Sequence, residues 1–121
     1  MTVRTALAIM LLLPHHSTAN YDVTKAVTLN GIVTSVDWRN PHVRIHIDVT
    51  DAEGRIANWD VETWGTGQMS VRGFANGFLK PRDVIRTDVY VAKDGSSRAV
   101  VHTLTLPDGR TMDGPPTDFT R

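Results

Sequence analysis

The chain reads as an all-β protein with one short helix, built as a small five-stranded Greek-key barrel of the OB type. Three observations predict it. From Tyr21 onward, apolar and polar residues alternate in runs of strand length. Glycine- and proline-containing turns punctuate those runs. One segment, between the third and fourth runs, breaks the alternation for the length of one or two helical turns. Three strands, a helix and two strands is the element order of a small OB-type barrel.

Each element has its own signal. Val27 to Trp38 is the first strand, and Gly31 inside it marks a bulge or bend. Asn40-Pro41 interrupts the chain, because a residue before proline is driven to extended geometry. His42 to Val49 is the cleanest strand. Val43, Ile45, Ile47 and Val49 face one way, and His42, Arg44, His46 and Asp48 face the other. Asp51-Ala52-Glu53-Gly54 is a hairpin turn into the third strand, Ile56 to Thr63. Gly65-Thr66-Gly67 opens the helical segment Gln68 to Arg72, with Gly73 as its C-cap. Val84 to Ala92 and Arg98 to Leu106 are the fourth and fifth strands, separated by the turn Lys93-Asp94-Gly95-Ser96. The domain is expected over 25–112, preceded by an arm at 15–24. A proline-containing, weakly apolar tail follows at 113–121.

Ahead of the domain, Arg4 followed by Ala6 to Leu13 has the pattern of an export signal over 1–14, too short to cross a bilayer as a helix. A cut at 14/15 would expose His15-His16-Ser17 as the new terminus. A cut at 19/20, after the small residues Ser17-Thr18-Ala19, would discard both histidines. The expected location is therefore periplasmic or secreted, with no membrane span in the mature chain.

Composition excludes several classes of chemistry. There is no cysteine, which removes disulfides, zinc–thiolate sites and thiol catalysis. The 13 basic and 13 acidic side chains balance, and loss of Arg4 with the signal leaves a charge of −1. Such a chain has no electrostatic footprint for nucleic acid or anionic lipid. No phosphate loop, nucleophile elbow or HExxH stands in the sequence. The expectation is a binding protein, not an enzyme.

The strongest candidate chemistry is metal ligation by imidazole. A mature terminus at His15 would offer an α-amine and two imidazoles, nitrogen donors suited to Cu(II) or Zn(II). His42 and His46 lie about 13 Å apart on one strand face, so they cannot share an ion. His42, at the strand mouth, is the better third ligand, giving the set His15, His16 and His42. His46 reads as a surface histidine with a cross-strand contact, and His102 as a semi-buried one. Asp60 and Glu62, roughly 6.6 Å apart, read as a solvated outward face. The competing reading needs no metal: Trp38, Arg39, Asn40 and Trp64 would form a rim that holds a peptide, a glycan or an envelope protein.

Together these segments resemble a family of small exported bacterial proteins catalogued as a domain of unknown function. The resemblance rests on His15-His16-Ser17 with Tyr21-Asp22, on Leu29-x-Gly31-x-Val33, and above all on Trp38-x-Asn40-Pro41-His42. It continues through Trp59-x-Val61-Glu62, Leu79-Lys80-Pro81, Lys93-Asp94-Gly95-Ser96 and Leu106-Pro107-Asp108-Gly109. It implies export and a compact β-domain and carries no activity with it. Members have Ala-x-Ala before the histidine pair, where this chain has Leu12-Leu13-Pro14, and glycine where it has Arg82.

Overall fold

The structure is a computed structural model that describes residues 20–117. Six strands and one helix follow in the order β1 (Val27–Asp37), β2 (Arg44–Thr50), β3 (Ile56–Glu62), α1 (Thr66–Val71), β4 (Val84–Val91), β5 (Arg98–Thr105) and β6 (Thr111–Asp113). β1 pairs antiparallel with both β2 and β4, β2 with β3, and β4 with β5. A short parallel pairing of Asp60, Val61 and Glu62 on β3 with Arg98, Ala99 and Val100 on β5 closes the barrel. This is the five-stranded closed barrel that the element order predicts.

The alternation of β2 sets the interior. Val43, Ile45 and Ile47 are fully buried and meet Val33, Val61, Val89, Val101 and Leu104 from the other strands. At one end Met69, Phe74 and Leu79 from α1 and the loop after it plug the barrel. A six-residue helix has too few hydrogen bonds to stand alone. The fully buried Met69 side chain contributes about 1.5–3 kcal/mol toward holding it in place. The helix ends where predicted: Gly73, at φ 90°, lets its own N–H reach the carbonyl of Ser70 while Phe74 N–H reaches that of Met69.

Three details depart from the alternation. The bulge in β1 falls at Thr34 instead of Gly31: Val33 pairs with Ile47 and Ser35 with His46. Gly31 marks a close approach, since a Cβ there would lie 3.0 Å from the Asp48 carbonyl oxygen. A second irregularity falls at His102, where Asp88 pairs with Thr103 and Val89 with Val101. It switches the inward parity of β5 from Ala99 and Val101 to Leu104 and Leu106. His102 is consequently exposed beside the Tyr90 hydroxyl, 3.2 Å away, which corrects its expected semi-burial. Finally, β6 is a strand that the sequence pattern does not announce. It extends the sheet to Asp113, and Gly114 N–H then bonds the His102 carbonyl, so the first residues of the expected tail are tied down.

Candidate functional site

The outer face of β2 and the end of β3 carry a polar cluster centred on Glu62. Arg44 pairs with Glu62 across the ladder, and Val43 extends the same pairing by bonding Thr63 and Trp64. That register places His42 beside Glu62: its Nδ1 lies 2.8 Å from Glu62 Oε2. Tyr21 donates its hydroxyl to Glu62 Oε1 at 3.0 Å. Arg44 stands 3.7 Å from the same oxygen and uses Nη1 to reach both oxygens of Asp60, at 3.1 and 3.0 Å.

Glu62 is only 4% exposed, which corrects its reading as part of a solvated face. Alternation assigns it correctly to the outside of the barrel. Tyr21, 41 residues upstream, then covers it. Asn20–Asp22 run alongside the end of β4, with Asp22 N–H on the Val91 carbonyl and Lys93 N–H on that of Asn20. A Tyr21–Ala92 bridge completes this attachment. Tyr21 is 3% exposed, and burial first, then the charge of Glu62 and the hydrogen bond to it, push its phenol up to about 12. It is therefore a proton donor to Glu62 at any physiological pH. Burial works against charge on Arg44, yet the hydrogen bond to Asp60 and the charges of Asp60 and Glu62 hold the guanidinium above its ordinary value. The buried carboxylate is thus compensated by a phenol, an imidazole and a nearby guanidinium, as a buried charge requires.

Because Glu62 accepts from Nδ1, the neutral His42 ring carries its lone pair on Nε2. His42 is part-exposed and lines a groove of about 640 Å³ with Asn40, Pro41, Trp64, Gly65, Gln68, Val71 and Pro115-Pro116. Asn40 lines the groove and supports the helix beside it. Its Oδ1 accepts from the backbone N–H of Thr66 at 2.9 Å and from the Thr66 hydroxyl at 3.0 Å, capping a helix whose own N-cap residue, Gly65, has no side chain to offer. Gly65 is required by closeness, since a Cβ would come within 2.6 Å of the Pro41 carbonyl oxygen.

The structure brings His42 together with Asn40 and Trp64, residues of both candidate sites. Trp38 and Arg39 do not line the groove. Trp38 packs edge-on against Phe78 with 6.2 Å between ring centres, and Arg39 reaches Asp37, at 3.9 Å. Trp64 has its indole N–H on the Asp113 carbonyl and one face under the Arg72 guanidinium, 3.5 Å from the ring centre. His46 is half-buried with Nε2 3.4 Å from Asp37, a contact to the neighbouring strand. His15 and His16 lie outside the described residues. Among the described residues, no three His, Cys, Asp or Glu side chains converge on a metal position, and no helix is long and apolar enough to cross a membrane. Sequence reasoning missed Tyr21 and Glu62, and the Tyr21-Asp22 and Trp59-x-Val61-Glu62 segments were the available signal.

The fold and this cluster define a class: a small closed β-barrel with a buried carboxylate holding one histidine at the lip of a groove. The chain belongs to the family of unknown function DUF6152, whose model matches residues 6–101. No curated protein and no solved structure matches it.

Proposed function

We propose that this is an exported bacterial envelope protein that binds one Cu(II) or Zn(II) ion through His15, His16 and His42, and that it buffers or delivers the metal without catalysing a reaction. The observation that carries this reading is the 2.8 Å contact of His42 Nδ1 with the buried Glu62 carboxylate. A ligating histidine characteristically donates its second ring N–H to a carboxylate, which fixes the tautomer and aims the other nitrogen at the ion. The arm supports the reading as well. Tyr21 shares Glu62 with His42, and the four chain steps from Asn20 back to His16 span at most about 14 Å. The imidazole set suits either metal, and the absence of cysteine leaves no thiolate site to compete.

Calorimetric titration of the chain from His15 onward with Cu(II) and Zn(II) tests this. The reading expects tight binding of one equivalent and at least a tenfold loss of affinity in His42→Ala. Weak heats without stoichiometry, or a His42→Ala variant that binds as tightly, would contradict it.

A second reading is favoured by the groove itself, whose volume of about 640 Å³ falls within the range of small-ligand sites. In it, Asn40, Trp64 and Val71 hold a peptide or glycan without metal. The commitment of Asn40 to Thr66 and of Trp64 to Arg72 and Asp113 leaves these side chains fewer free groups for such a partner.

A further inference from the structure

We propose that Tyr21 and Glu62 are positioning residues that couple the docking of the N-terminal arm to the orientation of His42. This inference rests on the metal-binding reading above for its purpose, but its geometry lies wholly within the described residues. Glu62 has two oxygens and divides them. Oε2 receives His42 Nδ1, and Oε1 receives the Tyr21 hydroxyl. The carboxylate is buried, so it cannot exchange either partner for water without cost. Tyr21 is also the arm's anchor, held by its bridge to Ala92 and by the two backbone bonds on either side of it. One carboxylate therefore ties the arm to the histidine.

Two consequences follow. With Tyr21 docked, Glu62 is held with Oε2 toward His42, and the imidazole adopts the tautomer with hydrogen on Nδ1 and the lone pair on Nε2. With Tyr21 absent, Oε1 loses its donor, the carboxylate is free to turn toward Arg44, and the preference of the ring weakens. By reciprocity, a ligand that fixes His42 also tightens the arm against β4. The device makes the presentation of His42 Nε2 depend on whether the arm is seated.

The test uses the chain from His15 onward and two readouts. Nitrogen-15 spectra of the imidazoles in the metal-free protein, recorded where His42 is neutral, give its tautomer directly. The proposal expects the Nδ1–H form in the wild type, a mixed or Nε2–H form in Glu62→Gln, and a shift toward that mixture in Tyr21→Phe. Zn(II) titration of the same proteins should then show a 10- to 100-fold loss in Glu62→Gln, and a smaller loss in Tyr21→Phe. Amide exchange at Asp22 and Lys93 should slow on adding Zn(II) to the wild type. A wild-type His42 in the Nε2–H form overturns the proposal, as does a Tyr21→Phe protein with the wild-type tautomer and affinity. The expected tautomers in all three proteins, together with a wild type that binds no Zn(II), overturn the metal reading and leave the coupling standing. If Glu62→Gln fails to fold, the wild-type and Tyr21→Phe spectra still decide.

Discussion

Glu62 and His42 meet across the end of the β2–β3 ladder, 2.8 Å apart, with the carboxylate buried and the imidazole half in solvent. The pair gives the barrel a directional feature. One ring nitrogen is committed inward to a charge that water barely reaches, which leaves the other at the edge of a groove. Elsewhere on the described surface, carboxylates chiefly satisfy their own turns, as Asp51 does for Arg55 and Asp108 for Arg110. Glu62 is different because it is buried and gathers three partners, Tyr21 from the arm, His42 just before β2 and Arg44 at its start.

Replacing Tyr21 by Phe should alter the alkaline stability profile. The Tyr21 phenol has its pKa pushed up to about 12 in the fold, against an ordinary value near 10. The folded state thus favours the protonated phenol. That stabilisation is fully present below pH 10, declines as pH rises from 10, and is gone above about 12. Tyr21→Phe keeps the buried ring and removes the titrating group. Denaturation midpoints measured from pH 9 to 12 should therefore fall more steeply for the wild type than for Tyr21→Phe, and parallel curves would contradict the assignment.

Arg82→Gly should stabilise the protein. Arg82 has φ 83°, and it is the one non-glycine among the described residues with a positive φ. A side chain in the left-handed region costs roughly 1–2 kcal/mol, and glycine pays part of that back in the entropy of the unfolded chain. The expected net gain is about 0.5–1 kcal/mol, or a rise in Tm of about 2–8 °C. Arg82 is exposed, and its backbone N–H bond to Val33 survives the change. Thermal melts of the two proteins check this, and an unchanged or lowered Tm would refute it.

Asn40→Ala should loosen the groove without touching His42. The variant removes the acceptor of the Thr66 backbone N–H and hydroxyl, the cap that α1 otherwise lacks. A loss of about 1 kcal/mol in stability is expected from a missing cap. Because Met69 still plugs the barrel, the variant should fold, with faster amide exchange confined to Thr66–Val71 and its neighbours. Uniform exchange across the barrel would show that Asn40 acts more widely.

The barrel was legible where alternation is strict. Val43, Ile45 and Ile47 name the inside of β2, and the turns at Gly54 and Gly95 bound the strands on either side. Parity failed at Thr34 and His102, because a bulge inserts one residue without any compositional mark. Strict parity therefore puts His102 on the wrong side. β6 is three residues long and gains its place from pairing with β5, which no local pattern encodes. The candidate site was half legible. His42 stands out by type and position, as does the groove pair Asn40 and Trp64. The burial of Glu62 is a tertiary fact: it depends on Tyr21 arriving from 41 residues away, and β3 read alone shows an acid on a wet face.

The most direct test of the metal reading is the imidazole spectrum of His42 during a Zn(II) titration of the chain beginning at His15. The account predicts that Nε2 of His42 shifts together with the imidazole nitrogens of His15 and His16, and that all three saturate at one equivalent. A His42 Nε2 resonance unmoved by stoichiometric Zn(II) would contradict it.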